Sequence, residues 1–236
     1  MTFSDHMRAE YVRNTKGAAN VVLIPPFATV PMTNDSVRYF AHARLGFLGR
    51  LEQEKGVDLL IDTLPLAADG LGRSITLTIA GRGRQRASLE SQSRKLMRSR
   101  KDITVQFTDW VTGEALRGFF DNLDLLVIPS TWPEPFALVG LEAAARGVPA
   151  VAFSVGGIPD WLSDGFNGHL APGARPSAIG LSDAVVAALD DQVHHQRLRN
   201  AAAEVCSRYT AQLHIARLKD LLGKIVVARD SNGSAS

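Results

Sequence analysis

Residues 131–147 read Thr-Trp-Pro-Glu-Pro-Phe-Ala-Leu-Val-Gly-Leu-Glu-Ala-Ala-Ala-Arg-Gly. They follow a mostly apolar run at 123–128, of the kind that forms a buried strand. Pro133 and Pro135 cannot sit inside a helix, but proline suits the positions at or just before a first turn. Ala143, Ala144 and Ala145 are strong helix formers. Gly147 stands where a helix C-terminal residue with positive φ belongs. The stretch therefore reads as strand, loop and short helix, with Glu134 in the loop and Glu142 in the helix.

A helix N-terminus directs free backbone N–H groups and a partial positive charge at whatever lies ahead of it. Here those N–H groups belong to the neighbourhood of Phe136, Ala137 and Leu138. Glu142 lies about two turns on from Glu134, at most roughly 12 Å along the axis. A carboxylate on each side of an anion site suits a ligand with hydroxyls at both ends and phosphate between them, as in a nucleotide-sugar. An ordinary buried helix with one capping carboxylate has the same spacing.

Glu-Pro-Phe-Ala-Leu-Val-Gly-Leu-Glu, residues 134–142, resembles the Glu-x7-Glu motif of retaining glycosyltransferases of the GT-B fold, especially family four. A second string fits the same family. Gly49-Arg50-Leu51, then Lys55-Gly56, resembles its phosphate-binding signature, in which arginine and lysine grip the donor diphosphate. Arginine offers a planar fork of donors and lysine a mobile point charge. A surface turn with two solvated cations is the alternative. A third string, Gly156-Gly157 with Asp160, resembles the Gly-Gly-x-x-Glu element, with aspartate in place of glutamate. The shorter acid shifts its reach, so no ligand contact is assigned to it.

The rest of the chain alternates strands and helices. Strands are expected at 45–48, 75–80, 103–107 and 149–153, and a final short one after Asn167-Gly168. A helix is expected over 57–68 with Leu59, Leu60, Leu64 and Leu66 buried, and another from Thr112 to about Asp121. Three further helices are read from Ser177 onward. His194 and His195 are placed in the turn between the first two of them, and His169 reads as structural or exposed. This is the pattern of a doubly wound, mostly parallel α/β sheet of Rossmann-like type, with ligands at the strand ends. Gly81-Arg82-Gly83 is either a wall of the ligand site or a tight turn. Trp110 either stacks on a base or plugs the core.

Composition narrows the classes. A formal net charge of +2 gives no global pull toward a polyanion. No apolar run is long enough to cross a membrane, and the first residues lack the apolar core of a signal peptide. The single cysteine, Cys206, permits neither an internal disulfide nor a cysteine metal cage. A cytoplasmic setting is expected. Residues 82–101 hold eight basic residues and one acid, Glu90. They read as a solvated face, with no nucleic acid expected and at most a weak membrane-surface contact.

The resemblance covers about residues 45–189 and implies the C-terminal, donor-binding half of a GT-B enzyme. Residues 1–41 are expected to be a remnant of the N-terminal domain and linker, including a short strand at 21–24 and a loop at 31–35. Residues 42–229 form the nucleotide-sugar-binding domain with its C-terminal helices, and 230–236 a disordered tail. The implied donor is a UDP-, GDP- or ADP-sugar, with no cofactor and no metal. Donor contacts are implied at Gly49, Arg50 and Lys55, at Trp110 and Val111, and at Glu134, Phe136, Ala137, Leu138, Val139 and Glu142. Glu134, Arg50 and Lys55 are the implied catalytic groups. Ala137 stands where many relatives have glycine, so its methyl narrows the space near the sugar. The family binds its acceptor on the N-terminal domain, which leaves a separate domain or partner chain to supply it. A nucleotide-sugar-binding module without turnover, or an interaction domain, is the alternative.

Overall fold

The computed structural model describes residues 1–15, 21–28 and 42–233, with side chains described to residue 226. The loop expected at 31–35 lies outside the described residues. A helix, α1 (Asp5–Asn14), comes first. Four repeats of strand and helix and a fifth strand follow: β1 (Ala43–Leu48), α2 (Val57–Leu71), β2 (Ile75–Ala80), α3 (Arg86–Ser99), β3 (Ile103–Thr108), α4 (Gly113–Asp121), β4 (Leu125–Ile128), α5 (Leu138–Ala144) and β5 (Ala150–Phe153). The last strand, β6 (Gly168–Ala171), leads to α6 (Ala178–Leu189), α7 (Gln192–Cys206) and α8 (Ala211–Gly233). The strands pair in parallel in the order β3-β2-β1-β4-β5-β6. This is the doubly wound Rossmann order, whose direction reverses between β1 and β4.

Side-chain alternation explains the two layers. In β4, Leu125 and Val127 face one side, with Val151 and Phe153 of β5, against α2 and α6. Leu126 and Ile128 face the other side, with Ala150 and Ala152, against α4, α5 and α7. Strands buried on both faces must be apolar throughout, which is why these runs show no polar alternation. Cys206 belongs to the second layer, where burial pushes its thiol up to about 11 and leaves it a small core residue.

Several expectations shift. Leu60 and Leu64 are fully buried, but Leu66 is 42% exposed. Two residues on from Leu64 is about 200° around the helix, which points Leu66 away from the sheet. His194 and His195 lie in the first turn of α7, not in a connecting turn, because the Asp191 side chain accepts from the His194 N–H at 2.6 Å and starts the helix there. The segment at 21–24 forms only a bridge, Thr2 with Leu23, rather than a strand. Helix α8 continues to Gly233, and 234–236 lie outside the described residues.

Candidate functional site

The reversal of strand order leaves a crevice beyond the carboxyl ends of β1 and β4, and both charged motifs start there. Gly49 and Arg50 follow β1 directly. Gly56 then turns the chain at φ 64°, and a Cβ on it would lie 2.1 Å from the Pro129 carbonyl oxygen. Only glycine lets this turn press against the end of β4. The consequence is that Lys55 reaches across the crevice to the loop of the second motif.

The crevice opens into a cleft of 590 Å³. Gly49, Arg50 and Lys55 line one wall. Glu134, Phe136 and Ala137 line the other, with Leu138, Val139 and Glu142 from α5 behind them. Trp110 closes one end; it is 51% exposed and does not plug the core. Val111 is the expected residue the cleft does not include, and it packs against the α4–α5–α7 layer instead. Phe3 and Pro26 complete the rim. Nothing in the sequence near them signalled this, since tertiary contacts hold that segment. Ser4 caps α1, the Asp5 N–H donates to Asp160 Oδ2 at 2.6 Å, and His214 Nδ1 meets the Pro25 carbonyl at 2.7 Å.

Glu134 is held by two neighbours in the cleft. Its Oε1 accepts from Lys55 Nζ at 2.5 Å and from the buried Ser130 hydroxyl at 2.5 Å. Lys55 is 21% exposed and Glu134 10%, so each ion offsets much of the other's desolvation cost. Arg50 differs: it is 65% exposed and meets Glu54 only at 3.4 Å. One cation is thus fixed on the carboxylate and the other can swing over the cleft. Ser130 escaped the sequence reading, although it lies four residues before Glu134.

The third motif is a clamp for the second. Gly156 sits at φ 58°, and a Cβ there would lie 2.2 Å from the Glu134 carbonyl oxygen. The Gly157 N–H donates to that same carbonyl at 2.7 Å. Trp161 Nε1 donates to the Phe136 carbonyl at 2.6 Å, and its ring fills the space above Gly140 in α5. The acid of this motif, Asp160, receives α1 rather than facing the cleft, and burial pushes its carboxyl above the usual range. Ala137 caps α5 at φ 61°, ψ 63°, a left-handed backbone that favours glycine.

Other features take structural roles. Gly81 and Gly83 do not line the cleft: a Cβ on either would strike the backbone of Gly49 or Leu51, so they let two loops pack together. In the basic stretch, Arg82 pairs with Asp109 at 3.0 Å, Arg84 with Glu52 at 3.0 Å, Arg86 with Glu90 at 2.7 Å, and Arg100 with Asp69 and Asp102 at 2.7 Å. Much of its charge is met within the chain. His169 bridges Asp164 at 3.0 Å and His194 at 2.9 Å, far along the chain from the two motifs. Among the described residues, no group of three His, Cys, Asp or Glu could hold a metal ion, and no helix is long and apolar enough to cross a membrane.

Residues 41–205 match the family described as glycosyl transferases group 1. The glycogen synthase of Mycobacterium tuberculosis is 39% identical over 164 residues, which is 69% of this chain and 37% of that protein. The phosphatidyl-myo-inositol mannosyltransferase of Mycobacterium leprae is 31% identical over 196 residues, 81% of this chain and 50% of that one. The chain therefore spans half or less of the length of these relatives. The crystal structure of HepE from Anabaena in complex with UDP-glucose superimposes with a TM-score of 0.79 at 21% identity, covering 94% of this chain and 63% of that one. That likeness is one of fold, whereas the sequence match extends over most of the chain. The chain belongs to the glycosyl transferases group 1 family.

Proposed function

We propose that this chain is the donor-binding half of a retaining, metal-independent GT-B glycosyltransferase of family four. It would transfer a hexosyl group from a nucleotide-diphosphate sugar to an acceptor held by a separate domain or partner chain, in the cytoplasm. The observation that carries this reading is the single cleft at the strand-order reversal that gathers Arg50, Lys55, Glu134 and Glu142. Ligands of doubly wound sheets bind at that point.

In this reading the base lies against Trp110 and the backbone near Val111, and Glu142 holds the ribose. The diphosphate meets Arg50, Lys55 and the N–H groups near Phe136, Ala137 and Leu138, with Val139 beside them. Glu134 orients the sugar hydroxyls. During transfer the bond from the anomeric carbon to the diphosphate oxygen breaks, and its electron pair leaves on the diphosphate. The acceptor hydroxyl oxygen forms the new bond on the same face, and its proton passes to the departing diphosphate. Preplaced cations stabilise that departing charge most where water is scarce. Lys55 is already paired with Glu134, so it couples the leaving group to the carboxylate that holds the sugar.

A panel of UDP-, GDP- and ADP-sugars read by thermal unfolding tests the proposal. A matching donor at 100 times its Kd adds about 2.7 kcal/mol, and a domain of this size gains roughly 5–10 °C for that. No shift with any member of the panel would reject the donor site.

A further inference from the structure

The loop after β4 holds a buried polar group to which the donor reading gives no task. Ser130, two residues past the end of β4, is 1% exposed. Taking a hydroxyl out of water costs free energy unless it is hydrogen-bonded. This one donates to Glu134 Oε1 at 2.5 Å, the same oxygen that accepts from Lys55 Nζ at 2.5 Å. A carboxylate offers about four lone-pair sites, shared between its two oxygens. Two donors therefore occupy Oε1. Among the described residues none donates to Oε2, although the side chain lines the cleft.

The two donors differ in kind. Lys55 carries its charge on a flexible four-carbon stem and is attracted to any phosphate that enters the cleft. Ser130 has a short side chain on a fixed backbone. Pro129 before it is pressed against the Gly56 turn, and the Thr131 N–H after it donates to the Glu54 carbonyl at 3.0 Å. The backbone of Glu134 is fixed as well, by the Gly157 N–H on its carbonyl at 2.7 Å. The loosest remaining freedom is the last torsion of Glu134, which for a carboxylate is broad and roughly two-fold. Ser130 is the donor that stops that rotation when Lys55 turns toward phosphate.

We propose that Ser130 is a positioning residue for the donor sugar: it holds Glu134 by Oε1 so that Oε2 meets the sugar hydroxyls. The inference rests on the donor reading above, in which Glu134 orients those hydroxyls and Lys55 meets the diphosphate. Ser130 then keeps the carboxylate in place while the diphosphate draws on Lys55.

The test is calorimetric titration of UDP and UDP-glucose, or of the best donor base and its sugar, into wild type, Ser130→Ala, Glu134→Ala and the double variant. Urea unfolding checks that each variant is folded. Ser130→Ala should keep UDP within about twofold and weaken UDP-glucose by about fivefold or more, the scale of a lost hydrogen bond to a charged group. In the Glu134→Ala background the same change should alter neither ligand by more than about twofold, because a residue that acts through Glu134 has nothing left to position. A smaller loss of UDP-glucose in Ser130→Ala, equal losses of UDP and UDP-glucose, or a further loss in the double variant overturns the proposal. Failure of wild type to bind UDP, or full UDP-glucose affinity in Glu134→Ala, counts against the donor reading itself, and this proposal falls with it.

Discussion

Ala137 holds a left-handed backbone at the start of the helix that carries Glu142. An L-residue there loses about 1–2 kcal/mol against glycine in the folded state, while glycine loses up to about 1 kcal/mol through the unfolded chain. Ala137→Gly should therefore stabilise the protein by about 0.5–1 kcal/mol in urea unfolding. The sequence showed an alanine where relatives have glycine, and its methyl read as narrowing the sugar space. The torsion supplies a second reason that no residue pattern displays. The Lys55–Glu134 contact was likewise hidden. Both residues were legible as site members, but their pairing depends on how Gly56 seats the turn against Pro129. Lys55→Ala strands a mostly buried carboxylate and should cost about 2–4 kcal/mol. Adding Glu134→Gln, which keeps an acceptor for Ser130, should recover most of that loss; urea unfolding of the single and double variants measures the difference.

At the level of elements, strands and helices were legible because apolar runs and glycine punctuation are local signals. Their assembly was less so. The pair Gly156-Gly157 read only as part of a family motif, and it braces the Glu134 backbone; Gly81 and Gly83, read as a wall of the ligand site or a tight turn, brace the Gly49–Leu51 turn. Close approach to backbone and close approach to ligand require the same residue, so sequence cannot separate them. The start of α7 carries a pH consequence. The His195 Nε2–H donates to the Asp124 carbonyl at 2.9 Å. Burial, opposed by Asp124 and reinforced by Arg199 and Arg73, lowers its pKa from the ordinary 6.5. Its contribution to stability is present above about pH 6.5 and is lost as pH falls toward the folded value, because the unfolded chain takes the proton first. His195→Gln should therefore show a smaller fall in melting temperature than wild type between about pH 7.5 and 5.5, measured by calorimetry.

For the whole molecule, alternation of strand and helix was enough to expect a doubly wound sheet, but the strand order came only with long-range pairing. That order sets two distant strings of sequence, near residues 50 and 134, on opposite walls of one cleft. The seating of Asp5 and Pro25 was illegible for the converse reason: their partners, Asp160 and His214, lie far along the chain and form no pattern with them. The central claim is that the cleft divides a nucleotide-sugar between two carboxylates. Calorimetric titration of UDP and UDP-glucose, or of the best donor base and its sugar, into wild type, Glu134→Ala and Glu142→Ala tests it most directly. Glu142→Ala should weaken nucleotide and nucleotide-sugar alike by about tenfold or more, as expected for a lost hydrogen bond to a charged group. Glu134→Ala should weaken only the nucleotide-sugar. Equal losses for both ligands in both variants, or unchanged affinities, would contradict the account.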